Sequence, residues 1–371
     1  TEDFGDGIGL GTYADDAIAE IFFAARALEA SGVVKRPLHT VFFGGGTPTK
    51  LPAYDLVRIL RTAIDIFGIE DGAEVTTEAN PDSVTYEDLQ TLKDGGFTRV
   101  SFGMQSVVPE VLKVLDRTHT PENVPKVVAW ARDIGLQVSI DLIYGSPSET
   151  LEQWEQSVQA AISYQPDHIS AYSLIVEDGT KLAAQIRRGE YTMPDDDLMA
   201  DMYLRAEDLL MQAGYRWYEV SNYSRSEHTR SDHNMAYWRN QDWWGIGPGA
   251  HSHINGTRWW NLNHPVPYAY RVRAGQSPAA AREILDSDSR SFETIMLLIR
   301  VREGLPMHEL LAVHPAADLG SSLRWLLSQG LIESDVFTDT GMPNPDASVK
   351  LTLQGRLLGD AVTRELLPDI K

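Results

Sequence analysis

The sequence predicts an α/β fold of successive βα units on a parallel sheet, closed by a compact helical region at the C-terminal end. Three observations carry that prediction. Short β-rich runs recur through the first half of the chain, apolar stripes with helical spacing lie between them, and after about Ser287 the pattern turns helical.

The β-rich runs are His39–Phe43, Glu74–Glu78, Arg99–Gln105, Gln137–Tyr144 and His168–Ile175. Their starts fall about 25 to 38 residues apart, the length of a βα unit, so neighbouring strands are expected to run parallel. Ile18, Ile21, Phe22, Ala25 and Leu28 form one helical stripe, with Gly32 placed to end it. Leu56, Ile59, Leu60, Ile64 and Phe67 form the next, and Val124, Val127, Val128 and Ala131 precede a stop at Gly135. Ser148 is the expected cap of a helix over Leu151–Tyr164, with Glu152 in its first turn. A barrel, closed or partial, and a doubly wound sheet both satisfy this order. Either places its ligand at the carboxyl ends of the strands.

Between Trp217 and Trp260 the texture changes, since six of the nine tryptophans fall there among many glycines. Short strands and long loops extending the sheet are expected. Helices are expected at Phe292–Arg302, Met307–Val313, Leu319–Leu327 and Gly355–Leu366. With a β-type stretch at Ser348–Leu353, they suggest a winged-helix arrangement used for packing.

The 371 residues carry 32 basic and 53 acidic side chains, a net charge of −21. Such a surface repels phosphate backbones and anionic lipid, so nucleic acid is not an expected partner. No apolar run approaches the ~20 residues of a membrane helix, and an integral membrane segment is not expected either. The chain contains no cysteine, which removes disulfides and thiolate metal sites from it and points to a cytoplasmic setting. It opens on Thr1, with Glu2, Asp3 and Asp6 close behind, so the residues given are expected to be part of a longer natural protein.

Polar and glycine residues gather where strands end. Gly44-Gly45-Gly46-Thr47-Pro48 follows a strand directly, and its backbone N–H groups can cup a carboxylate or phosphate. A tight strand-to-helix turn explains the glycines as well. Glu78, Gln105 and Asp141 each stand at or near the end of a different strand, suited to ribose hydroxyls or an amino group, or to capping. Arg117 can hold a ligand carboxylate, or pair with Asp116 at the surface. In His233-Asn234-Met235-Ala236-Tyr237-Trp238, an imidazole among aromatics suits a flat ligand with iron, although such a histidine is more often structural. His228, His251, His253 and His264 lie nearby without metal-site spacing.

Taken in order, Val41–Pro48, Thr77–Pro81, Ser101–Ser106, Arg117–His119 and Asp141–Gly145 resemble the radical S-adenosylmethionine family of oxygen-independent coproporphyrinogen III oxidases. The resemblance runs almost end to end. The HNMAYW stretch is similar to the HNxxYW signature of that family's heme-chaperone branch.

This resemblance implies a partial (β/α)6 TIM-like barrel with an extended sheet over residues 1–285 and a winged-helix-like helical domain over 286–371. It implies that Gly45, Gly46 and Thr47 meet the methionine end of S-adenosyl-L-methionine. Glu78, Gln105, Arg117 and Asp141 would complete that site, with His251 a weaker contact on the adenine side. Heme would be held at His233 and passed to an acceptor protein whose identity the sequence does not carry. Family members also bind a 4Fe-4S cluster through C-x-x-x-C-x-x-C, a motif absent from these residues; it is expected in the full-length parent. The expected function is therefore that of a heme chaperone. The alternatives are a coproporphyrinogen oxidase decarboxylating propionates, and a cofactor-free barrel serving as an interaction module.

Overall fold

The computed structural model describes residues 7–117 and 119–367. The chain opens with α1 (Leu10–Ala30), followed by β1 (Leu38–Phe43), α2 (Ala53–Phe67), β2 (Ile69–Ala79), α3 (Tyr86–Asp94) and β3 (Arg99–Gln105). There follow α4 (Pro109–Val114), α5 (Asn123–Ile134), β4 (Gln137–Tyr144), α6 (Leu151–Ser163), β5 (His168–Ser173), α7 (Lys181–Arg187) and α8 (Asp196–Gln212). Next come β6 (Arg216–Glu219), β7 (Asn222–Ser224), α9 (Asp232–Trp238), β8 (His251–Ile254), β9 (Thr257–Asn261), α10 (Pro265–Arg273) and β10 (Ala279–Ile284). The last part holds α11 (Ser287–Leu298), β11 (Leu305–Pro306), α12 (Met307–Val313), α13 (Ala316–Ser328), β12 (Ser348–Val349), α14 (Leu353–Leu357) and α15 (Gly359–Leu366).

The main sheet has seven strands in the order β1-β2-β3-β4-β5-β7-β6. β1 to β5 pair in parallel, and β7 and β6 add on antiparallel. It curls into a half-barrel, the α/β class and partial barrel that the sequence implies. Helices cover its outer face, where Val100, Phe102 and Met104 of β3 meet Val138, Ile140 and Leu142 of β4 in one buried core. Strands buried on both faces are normally apolar throughout. Here polar side chains such as Arg99, Ser101, Gln105, Ser139 and Asp141 alternate with the apolar ones instead, because the inner face lines a cavity.

Local chemistry explains most element ends. Gly135 closes α5 in the left-handed conformation, as expected of a C-cap glycine. The cap of α6 is Thr150 and not Ser148, since Thr150 and Gln153 form a reciprocal capping box. Ser148 lies in the loop before it at φ 65°. Only β6 and β7 of the Trp217–Trp260 region extend the main sheet; β8 and β9 pair with β10 in a separate three-stranded sheet. The segment over Gly355–Leu366 is broken between α14 and α15, and the β-type stretch at Ser348–Leu353 contributes the two residues of β12 and a single antiparallel bridge from Leu351 to Ile332. A second core, including Ile295, Leu310, Leu323, Leu326, Val349 and Val362, lies within this C-terminal part. Arg356 of α14 reaches back to Glu207 of α8 at 2.8 Å, with its guanidinium 4.3 Å from the Trp217 ring.

Candidate functional site

The inner face of the half-barrel encloses a cavity of about 480 Å³. Gly45, Gly46, Thr47, Glu78, Gln105, Arg117 and Asp141 all line it, so the structure brings these seven residues together around one cavity; Gly44 and Pro48 of the same turn are not among its lining residues. Thr118, between Arg117 and His119, lies outside the described residues.

At the mouth, the turn after β1 runs through Gly45 at φ 84° and Gly46 at φ 126°, backbone that favours glycine. The space a Cβ would take at either position is empty, so both backbone edges stand open to a ligand. Gly44 is required for a different reason. A Cβ there would lie 2.4 Å from the Phe42 ring and 3.1 Å from the Glu78 carboxyl, which accepts a hydrogen bond from Gly45 N at 3.2 Å.

Burial, then the charge of Asp141, pushes the Glu78 carboxyl up to about 7. Asp141 is raised by burial too, against hydrogen bonds from Ser170 and Ser101, the latter at 2.9 Å. Two carboxylates thus share a low-dielectric cavity, and the nearby Arg117 guanidinium only partly offsets Glu78. Such a site favours a ligand that brings positive charge and hydroxyl donors.

Gln105 ends β3 at φ 62°, just past an irregularity in register with β4. Left-handed backbone is uncommon outside glycine, asparagine and aspartate, and strain of this kind concentrates at functional sites. Its amide folds back so far that a Cβ on Gly103 would come within 2.9 Å of Nε2. Arg117 is exposed beyond α4, and its neighbour Asp116 pairs with Lys181 instead, at 3.3 Å.

The base of the cavity is closed by α9 and the residues leading into it. HNMAYW is therefore helical, not a loop. The Glu74 carboxylate on β2 accepts from Ser231 Oγ at 3.1 Å and from Asp232 N at 2.9 Å. Arg99 on β3 donates to the Thr229 and Arg230 carbonyls at 3.1 and 2.7 Å and lies 3.5 Å from Glu74. Gln137 on β4 donates to the His228 carbonyl, and Tyr218 on β6 accepts from Ser231 N. His168 on β5 bonds Tyr218 at 2.7 Å and Ser139 at 2.7 Å. Burial drives its pKa well below the usual value, which keeps the imidazole neutral.

His233 itself is bound at both nitrogens. Nδ1 meets Thr40 Oγ1 at 2.8 Å, and Nε2 meets the Tyr237 hydroxyl at 3.2 Å. Its ring stacks on Phe42 at 4.9 Å, and burial lowers its pKa to about 4. His233 is not among the cavity's lining residues, although Ser231 and Asn234 on either side of it are. His251 is not a lining residue either; it sits exposed on β8.

Sequence reading missed Thr76, Arg99, Ser101, Ser139, His168, Ser170 and Tyr172 in the cavity wall. The signal was present as a period-two run of polar residues, Arg99-x-Ser101-x-Gly103-x-Gln105 and Ser139-x-Asp141 among others. In a parallel sheet such alternation marks a strand face that is not packed on helices.

Residues 24–161 match the Radical SAM superfamily. A protein named heme chaperone HemW from Mycobacterium tuberculosis is 42% identical over 94% of this chain and 84% of its own length. Another of that name, from Bacillus subtilis, is 32% identical over 90% of this chain and 86% of its own. The chain belongs to the HemW family of radical SAM proteins. Among solved structures, the coproporphyrinogen III oxidase HemN of Escherichia coli, described as a radical SAM enzyme, superposes with a TM-score of 0.78. That match is 22% identical and covers 96% of this chain and 83% of HemN, a likeness of fold.

The family implies S-adenosylmethionine and a 4Fe-4S cluster, and the two fare differently against these residues. The open glycine edges and the paired carboxylates suit a cationic nucleoside ligand. These residues include no cysteine, so they offer no thiolate to a cluster.

Proposed function

We propose that this chain binds heme and delivers it to an acceptor protein, with S-adenosylmethionine seated in the barrel cavity. The observation that carries the reading is the near full-length similarity to proteins named as heme chaperones. The cavity chemistry supports the cofactor half. When bound, S-adenosylmethionine supplies a sulfonium that carries transferable methyl and adenosyl groups.

The chain's own residues bind and orient it. The open backbone at Gly45, Gly46 and Thr47 receives the methionine end. Glu78 accepts from the ammonium group, whose charge draws its carboxyl back toward ionisation. Gln105 and Asp141 take the ribose hydroxyls, and Arg117 takes the carboxylate. His233 belongs to the heme half of the proposal. Its imidazole is neutral at physiological pH, as an iron ligand must be, and it reaches iron once Nε2 leaves the Tyr237 hydroxyl.

The same proposal divides the chain at 285/286, supported by the separate C-terminal core, and sets it in the cytoplasm, supported by its cysteine-free, acidic composition. Among the described residues no helix is long and apolar enough to cross a membrane.

Titration of this chain with ferric heme, followed by its absorption band, tests the cargo, and calorimetry with S-adenosylmethionine tests the cofactor. Saturable heme binding is expected, together with no conversion of coproporphyrinogen. A heme titration that never saturates overturns the chaperone reading.

A further inference from the structure

We propose that His251 is the imidazole through which this protein first takes heme iron, on an aromatic surface of the three-stranded sheet. The proposal rests on the heme reading above and names a residue and surface for it.

The argument begins from the two ring nitrogens. His251 Nδ1 lies 3.1 Å from the Gly249 carbonyl oxygen. A carbonyl only accepts, so Nδ1 carries the proton, and the lone pair of the neutral ring is on Nε2. The side chain is exposed, and no protein group among the described residues bonds Nε2. Metal-binding histidines are commonly oriented this way, with one N–H held by a carbonyl and the other nitrogen presented outward.

The other histidines nearby are differently placed. His233 has both nitrogens engaged, by Thr40 and by Tyr237. His253 is buried, with its ring 5.1 Å from Trp243.

The mounting of His251 is rigid. A Cβ at Gly245 would fall 2.1 Å from the His251 carbonyl oxygen, so the glycine-rich loop lies flat against β8. That loop is tied to α1 through Glu20, whose buried carboxylate accepts from Gly247 N at 2.7 Å, Asn261 Nδ2 at 2.7 Å and the Tyr268 hydroxyl at 2.6 Å.

The surroundings suit a flat apolar ring. Trp260 faces His251 across the strand pair, its ring 6.0 Å away and inclined by 27°. Trp243 donates its indole N–H to the His251 carbonyl, and its own ring meets Tyr237 at 4.8 Å. Tyr237 in turn touches His233 at 5.0 Å. An aromatic series thus leads from exposed His251 to the helix that carries the family's signature. A porphyrin offers a wide apolar face for such rings and an iron that accepts one axial imidazole.

Ferric heme and iron-free protoporphyrin IX titrated into the chain, into His251→Ala and into His228→Ala, an exposed histidine away from this surface, test the assignment. The histidine-ligated absorption and electron-spin signature is expected to vanish in His251→Ala, to persist in His228→Ala, and to return to His251→Ala with free imidazole. Heme affinity should fall on the order of tenfold or more in His251→Ala, while protoporphyrin affinity and melting temperature hold. A His251→Ala protein that keeps the signature overturns the assignment and leaves the heme reading standing. Equal loss of heme and protoporphyrin overturns it as well, since His251 would then act as a stacking surface. A wild-type chain that binds no heme removes the heme reading and His251 with it.

Discussion

The two ends of the half-barrel are built from the same kinds of side chain and use them in opposite ways. At the base, Glu74, His168 and Tyr218 spend their hydrogen bonds on one another and on the segment entering α9, and Arg99 spends its Nη2 there while its Nε and Nη1 stay buried without a partner among the described residues. At the mouth, Glu78 and Asp141 share a cavity in which both are raised from the usual carboxylate range, and Arg117 stands exposed. The ties at the base hold the segment entering α9 in place, whereas the two raised carboxyls at the mouth favour a ligand that brings positive charge. The contrast separates structural from functional polarity within one sheet.

The largest effect that can break this contrast is at the base. Glu74→Ala leaves the Arg99 guanidinium, 3% exposed, without its carboxylate, and should cost about 3–5 kcal/mol in denaturant unfolding. A loss below about 1 kcal/mol, the level of a surface pair, would mean that the base does not depend on this ion pair. At the mouth, Glu78→Gln should weaken S-adenosylmethionine binding on the order of 30-fold, the worth of one hydrogen bond to a charged group.

Stability should move the other way with Glu78. Its folded pKa of about 7 lies above the ordinary 4.5, so the folded state holds the proton more tightly between those values. What this carboxyl contributes to stability is present below pH 4.5 and is lost as pH rises through 7. Glu78→Gln should therefore gain about 1–2 kcal/mol at pH 8, a part of the full linkage because the group keeps some solvent contact, and nothing at pH 4. Melting curves at the two pH values check this, and equal shifts at both would refute the linkage.

Smaller effects sharpen the picture. Gly103→Ala pushes on the flexible end of Gln105 and should lower cofactor affinity by about three- to tenfold with little change in melting temperature, as loss of one neutral hydrogen bond would. Calorimetry on that variant reads whether the Gln105 amide matters. Lys181→Ala removes an ion pair whose side chains are 70% and 75% exposed, and no measurable shift in melting temperature is expected.

The strands were legible because length, β-branched content and flanking glycines agree. Arg99–Gln105 and Gln137–Tyr144 match the structure residue for residue. The mouth of the site was legible because strand ends in a parallel sheet are where ligands go. The base was not, since its ties join residues as far apart as Glu74 and Asp232, and sequence spacing says nothing of such pairs. The helix α9 spans seven residues, too short to display a helical period. Ser148 and Thr150 are both plausible caps, and only the Gln153 partner of Thr150 distinguishes them. The three-stranded sheet was hidden because its strands are short and rich in aromatics that also suit loops.

The ties around α9 also govern how the barrel can breathe. Thr40, Glu74, Arg99, Gln137 and His168 all lie in the starting halves of the parallel strands or directly beside those starts in register. A ring stitched at one rim and open at the other flexes only at the open rim. Amides along the stitched rim should exchange with solvent through unfolding of the whole domain, and those of the Gly44–Thr47 turn through small local openings. The cavity can then admit a cofactor by loosening its mouth while the helix that carries His233 stays in register.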